Sequence, residues 1–561
     1  MHEIEIEFDV DVEMRDGTLL KADVYRPVGD GPFPVLVHRT PYGKSTLIDT
    51  VLDFKQMVRA GYVLINQDVR GTFASGGEWR PWHHERSDGY DTIEWAAALP
   101  YTNGRVGMFG ASYHGSTQWS AAISGAPHLK AIAPAITWSD PDDGLMFRGG
   151  AQEFGLNNWW GMVQALGQYG RIGLSAEEAG TRTLEGITQL DSLVPEGFWE
   201  LPSAALPVMV SSGQPDIGVA SAFVDHSTTE ASRVAGRYDE IQTPSLSFAG
   251  WYDCFLQGSL ENYIGMQAAG RPARLIIGPW AHTTIMFAWP GGQVGDINFG
   301  LLAQAPGGRS YTQIQREWYD HWLKGEPATE AHESGVLIFV MGINEWRAEP
   351  TWPLERARDT ELYLAEQGAL SWSAPTADQS ASDYIYDPAH PVITRGGGLS
   401  FSSEFPGGPY DQRDAEARDD VLVFTTEALE ADLEITGRVR AVIHVSTDGV
   451  STDWVARLCE VDEHGISRNL VDGITRVHTE AGRADEVEID LWSTSIVIRA
   501  GHRLRAHITS SNFPRWDRNL NTGEPETDAT TIRVAHQRVF HDRNRPSRLV
   551  LPVVAGGVPR D

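Results

Sequence analysis

The stretch Gly110-Ala111-Ser112-Tyr113-His114-Gly115 constrains this chain more than any other. The apolar run Val106-Gly107-Met108-Phe109 precedes it, and the helix-like, small-residue run Ser116-Thr117-Gln118-Trp119-Ser120-Ala121-Ala122 follows. A buried strand that turns at once into a helix brings backbone segments close together. Such a turn takes small residues and holds a serine at its apex as a nucleophile. Gly110 stands two residues before Ser112, as this elbow requires. Gly115 comes three residues after the serine instead of two, so the strict G-x-S-x-G spacing is not met. The six-residue pattern is common by chance, and its setting between strand and helix gives it weight.

The surrounding pattern extends that setting. Residues 4–12 and 19–26 are expected as strands around the turn Arg15-Asp16-Gly17, followed by the runs Phe33-Pro34-Val35-Leu36-Val37-His38 and Tyr62-Val63-Leu64-Ile65-Asn66. A helical pattern over 52–58 separates those runs, which indicates βαβ units and a mainly parallel sheet. From about 146 to 240 the strand signal gives way to helices, expected near 157–166 and 176–185. Strands resume at Ser245-Leu246-Ser247-Phe248 and Leu275-Ile276-Ile277, before a helix near 311–323. After about 355, short β-rich runs separated by turn residues suggest an all-β sandwich or jelly roll. The expected fold is therefore α/β: an α/β-hydrolase domain over 1–145 and 241–355, a helical insertion (cap) over 146–240, and a C-terminal all-β jelly-roll domain over 356–561.

A serine hydroxyl needs a base, and the base needs an orienting carboxylate. In this fold the acid and then the histidine follow the serine, each on a loop after a later strand. Ser247-Phe248-Ala249-Gly250-Trp251-Tyr252-Asp253 places Asp253 beyond one strand, and Leu275-Ile276-Ile277-Gly278-Pro279-Trp280-Ala281-His282 places His282 beyond the next. One oxyanion donor is expected from the backbone N–H of Tyr113. The other normally comes from the loop after an early strand, here His38-Arg39-Thr40-Pro41-Tyr42-Gly43, where the Tyr42 hydroxyl is the candidate.

Composition narrows the rest. A formal charge of −31 repels nucleic acid and anionic membranes, so neither is an expected partner. The opening MHEIEIEFDVDVEMRDG alternates as a strand does and lacks the basic start and apolar run of a signal peptide. The two cysteines, Cys254 and Cys459, form no metal or redox spacing, and the expected location is a reducing cytoplasm. His83-His84-Glu85 lacks the spacing of a zinc site. Asp68-Val69-Arg70-Gly71 is expected as a strand-end ion pair and turn, and 414–420 as a solvated loop.

With these residues in place, the chain resembles the bacterial cocaine esterases and their relatives, among them glutaryl acylases, α-amino acid ester hydrolases and X-prolyl dipeptidyl peptidases. The resemblance runs nearly end to end, through Met14-Arg15-Asp16-Gly17, Gln67-Asp68-Val69-Arg70-Gly71, 106–119, 250–255 and 278–282. It continues in Met341-Gly342-Ile343-Asn344-Glu345-Trp346-Arg347, Ser510-Ser511-Asn512-Phe513-Pro514 and Asp517-Arg518-Asn519. It implies Ser112 as nucleophile, Asp253 as triad acid, His282 as base, and an oxyanion hole from Tyr42 and the Tyr113 amide. It further implies an acyl pocket walled by Trp160, Phe255 and Leu399. Departures are Cys254, where the cocaine esterases have glycine, and His114, which replaces an apolar residue. The acidic pair that follows this aspartate in α-amino acid ester hydrolases is absent.

The expectation is thus a serine carboxylic ester hydrolase working through an acyl-enzyme on a small-molecule ester with an apolar or aromatic acyl group. No metal or organic cofactor is implied. Alternatives are an acylase, amidase or X-prolyl or aminoacyl peptidase using the same residues, and, more remotely, a catalytically vestigial binding protein. Assembly into a homo-oligomer stays open.

Overall fold

The computed structural model describes residues 2–45, 51–203, 215, 217–286, 291–329, 335–399, 401–402 and 404–554. A ten-stranded sheet forms the half of the chain that carries Ser112. The strands are β1 (Ile4–Glu13), β2 (Leu19–Pro27), β3 (Phe33–Thr40), β4 (Val63–Asp68), β5 (Thr102–Ala111), β6 (Leu129–Ala135), β7 (Ser245–Tyr252), β8 (Ala273–Ala281), β9 (Gly335–Val340) and β10 (Glu345–Glu349). They lie in the order β1-β2-β4-β3-β5-β6-β7-β8-β9-β10. The run from β4 to β9 is parallel, and β1, β2 and β10 pair antiparallel at its edges. Every residue of β4, β7 and β8 is buried, as continuous apolar runs covered on both faces should be. Edge strand β1 instead puts Glu5 and Glu7 in solvent, where charge discourages further pairing.

Helices α1 (Phe54–Arg59), α2 (Glu85–Ala97) and α3 (Tyr113–Ile123) cross between the early strands. All residues of α3 are buried, which its Gly, Ser, Thr and Ala content allows by letting it lie close to the sheet. Between β6 and β7 come α4 (Phe154–Leu166) and α5 (Ala176–Ser192), each somewhat longer than its periodicity suggested. Ser175 and Glu178 close α5's first turn as a capping box. Further on are α6 (Leu256–Ala268), α7 (His282–Met286) and α8 (Tyr311–Lys324).

From Ala357 to Val554 the described chain is mostly strands, with a short α-helix at Arg413–Glu416 and a single 3-10 turn at Glu366–Gly368. The long strands Leu433–Thr447 and Ala484–Ile498 pair antiparallel along their length. This β-rich part is bonded to the helical segment through Trp516 Nε1 to Glu153 Oε1 (2.9 Å) and Phe154 N to Arg515 O (2.9 Å). It also reaches the sheet through Met341 N to Ser495 O (3.0 Å).

Two local expectations are corrected. Asp68 and Arg70 do not pair: the Asp68 carboxylate accepts from the Lys44 and Ala74 amides, while Arg70 bonds Asp88 and Asp16. In 414–420, Glu416 is not simply solvated but is held by Arg505 and His507. Apart from Ala74, six residues from Asp68, these partners are distant in sequence and invisible to local pattern.

Candidate active site

Ser112 sits at φ 61°, ψ −123° between the end of β5 and the start of α3, a left-handed conformation that a non-glycine residue adopts only under constraint. Its amide bonds the Ala135 carbonyl at the end of β6 (2.9 Å), fixing the apex over the sheet. A Cβ at Gly110 would lie 2.5 Å from the His114 Cβ, and one at Gly115 would lie 2.8 Å from the Thr137 Cβ. The late second glycine is thereby explained. His114 occupies the place two after the serine and packs back over Gly110, and the close approach to the next strand's exit falls at Gly115.

Asp253 follows β7 and His282 follows β8, so neighbouring strand ends deliver them beside the elbow. His282 Nδ1 lies 2.6 Å from Asp253 Oδ2, and its Nε2 lies 2.9 Å from Ser112 Oγ. The ionised carboxylate only accepts, so Nδ1 carries the proton and Nε2 offers its lone pair to the hydroxyl. Asp253 Oδ1 accepts from the Phe255 amide (2.7 Å), which fixes the carboxylate plane. Asp253 is 2% exposed and His282 9%. A buried carboxylate is worth most to an imidazole that becomes a cation during reaction.

The Tyr113 amide opens α3 next to Ser112, where the backbone N–H groups of a helix start favour negative charge. Its side chain is anchored: the phenol donates to Glu85 Oε1 (2.9 Å) and accepts from the Trp82 amide (2.9 Å). Glu85 in turn pairs with buried Arg39 at 2.6 Å. Burial, then the charge of Glu85, pushes the Tyr113 phenol well above its usual value, so it stays a neutral donor. Tyr42 lines the same cavity, and the Trp160 indole N–H donates to its oxygen at 3.1 Å. Burial pushes the Tyr42 hydroxyl up to about 12, which keeps its proton in place at neutral pH.

Ser112, Tyr42 and His282 open into a cavity of about 270 Å3. This is just below the roughly 300–1,000 Å3 common for ligand sites. Its walls are Trp82, Trp138, Trp160, Phe255 and Phe401, and Trp82 and Trp160 stack with ring centres 5.7 Å apart. No carboxylate or cationic side chain is among the lining residues described. Leu399 is not among them either. It is packed in a cluster with Phe154, Met162, Leu193 and Phe198, and Phe401, two residues later, supplies the β-rich domain's wall instead.

Sequence reasoning missed Glu85, Trp82, Trp138 and Phe401. Glu85 opens α2, whose inward-facing acids break the apolar periodicity that would have revealed the helix. The Arg39 and Tyr113 partners that explain it are far away in the chain.

Residues 16–284 match the family described as X-Pro dipeptidyl-peptidase (S15 family), and 330–550 match the X-Pro dipeptidyl-peptidase C-terminal non-catalytic domain. The cocaine esterase of Rhodococcus sp. (strain MB1 Bresler) is 36% identical, over 97% of this chain and 98% of its own. An aminopeptidase from the marine sediment archaeon Thaumarchaeota archaeon superposes with TM-score 0.76 at 25% identity, covering 99% of this chain and 97% of its own. An α-amino acid ester hydrolase shares the fold with TM-score 0.78 at 24% identity, covering 98% and 97%.

Proposed function

The chain belongs to the cocaine esterase family of α/β-hydrolases, and from that footing we propose that it cleaves carboxylic esters through an acyl-enzyme on Ser112. His282 Nε2 takes the hydroxyl proton as Oγ attacks the ester carbon, and Asp253 stabilises the imidazolium. The tetrahedral oxyanion rests on the Tyr113 amide and the Tyr42 hydroxyl. Collapse expels the alcohol, which leaves with the proton held by His282, and water then deacylates Ser112 by the same route. The observation that carries this reading is one imidazole bonded at once to Ser112 Oγ (2.9 Å) and Asp253 (2.6 Å).

The aromatic walls favour an apolar or aromatic acyl group, which Trp160, Phe255 and Phe401 strip of water. An aminopeptidase-like or aminoacyl-ester reaction is disfavoured, because a substrate ammonium would meet no carboxylate among the lining residues described. The jelly-roll form of the β-rich domain and the division at 145, 240 and 355 belong to the same proposal. So does a reducing cytoplasmic location, which two buried free cysteines support. No helix of the described residues is long and apolar enough to cross a membrane.

A fluorophosphonate probe tests the reading directly. Wild type is labelled on Ser112 and Ser112→Ala is not; an unlabelled wild type, or equal labelling of both, overturns it. Turnover of matched ester and amide substrates then separates esterase from amidase, with the ester expected to be the faster.

A further inference from the structure

The mechanism above leaves one buried nucleophile beside the base without a role. Cys254 Sγ lies 3.6 Å from His282 Nδ1, the nitrogen already bonded to Asp253. Asp253, Cys254 and His282 are the one set of three metal-ligating side chains, among the described residues, whose donor atoms all fall within 4.8 Å of one another. We propose that these three side chains form an inhibitory site for a thiophilic divalent cation such as Zn2+ or Cd2+, bound through the carboxylate, the thiolate and Nδ1. The inference rests on His282 being the catalytic base.

The donor set suits such an ion. Thiolate, imidazole and carboxylate are the ligands zinc takes, with bonds near 2.3, 2.0 and 2.1 Å, and tetrahedral angles then put S and N about 3.5 Å apart. Cys254 and His282 stand at 3.6 Å, within about 0.1 Å of that separation. The carboxylate starts at hydrogen-bonding distance from Nδ1, and a metal between them pushes it back by roughly 0.8 Å on the same bond lengths. A metal-free thiol here is held in its neutral form, since burial and then the charge of Asp253 oppose ionisation. A divalent cation reverses that: the thiol proton leaves to solvent, and Asp253, thiolate and M2+ together are neutral. The cation takes the Nδ1 lone pair, so the imidazole proton moves to Nε2. There it points at Ser112 Oγ as a donor, and the base can no longer accept the hydroxyl proton. Of the three side chains His282 alone lines the cavity, so the ion reaches Nδ1 past the edge of that ring.

The test titrates Zn2+ and Cd2+ against ester hydrolysis by the full-length wild type, Cys254→Ala, Cys254→Ser and Cys459→Ala, with a chelator added at the end. The half-inhibitory concentration is expected to rise roughly ten-fold or more in both Cys254 variants and to stay put in Cys459→Ala, with chelation restoring activity. Unchanged inhibition in the Cys254 variants overturns the proposal. Metal binding is read separately in Ser112→Ala, by Cd2+ calorimetry and by thiolate-to-cadmium near-ultraviolet absorption. One ion per chain, lost in Ser112→Ala/Cys254→Ala, upholds the site even if the catalytic reading fails. Absence of that absorption in Ser112→Ala, where the wild type labels on Ser112, overturns the site and leaves the catalytic reading intact.

Discussion

His282 bonds Asp253 at 2.6 Å with Cys254 alongside at 3.6 Å, and His507 in the β-rich domain bonds Glu416 at 3.0 Å with Cys459 alongside at 4.0 Å. The side-chain types match almost one for one, yet the surroundings differ. The second nitrogen of His282 meets Ser112 Oγ at the edge of a cavity. That of His507 faces Arg457 Nη1 at 3.4 Å, and the ring is 1% exposed. A base must become a cation as it works. At His507 burial opposes protonation most, and Arg457 and Arg505 beside it work in the same direction. Residue types in contact therefore do not make a catalytic pair; a hydroxyl on the far nitrogen, space beyond it and a favourable field do.

The sharpest way to break this comparison is to remove each ring. His282→Ala should lower kcat by about 10^4-fold or more, as loss of a triad member does. His507→Gln should leave turnover within about two-fold, since its described partners Glu416, Arg457 and Cys459 do not line the cavity. Comparable losses in both would mean that the two sites had been misassigned. Next in size, Tyr42→Phe should cost about 10^2–10^3 in kcat with little change in KM, the effect of deleting an oxyanion donor. A change confined to KM would make Tyr42 a wall of the cavity and nothing more.

The other side of the comparison is structural. Glu416→Gln removes a mostly buried charge from Arg505 and His507, and should cost about 2–3 kcal/mol in urea unfolding while Ser112 labelling persists. Unaltered stability would show the cluster to be ornamental. The smallest effect is in pH. Burial lowers the His507 pKa from 6.5, against the pull of Glu416 and with Arg457 and Arg505 adding to the lowering. As pH falls through 6.5 the unfolded chain takes up this proton before the folded one, so stability is lost on the acid side until the lowered folded value is reached. His507→Gln should therefore lose less melting temperature than wild type between about pH 7 and pH 5. Parallel profiles would remove His507 from the acid sensitivity.

Much of the catalytic half was legible because its signals are local. Continuous apolar runs mark β3, β4, β7 and β8, and the elbow announces itself through Gly110 and Ser112 within six residues. Asp253 and His282 are found by counting strands. What was not legible depends on distant partners. Helix α2 turns Glu85 and Asp88 inward to Arg39 and Arg70, so its pattern of polarity misleads. The choice between Leu399 and Phe401 as pocket wall depends on how a glycine-rich loop lies against Asp253 and Cys254: a Cβ on Gly398 would already sit 3.3 Å from the Asp253 carbonyl. No spacing rule reports that.

Trp160 both walls the cavity and donates to the Tyr42 oxygen. Breadth of substrate and speed of turnover are thus written in a single side chain. Trimming that indole to admit a bulkier acyl group also removes the donor to Tyr42, the proposed oxyanion tyrosine. A lineage or an engineer seeking a roomier enzyme from this scaffold starts with a slower one, and must restore the lost donor from another position before the wider pocket is of use.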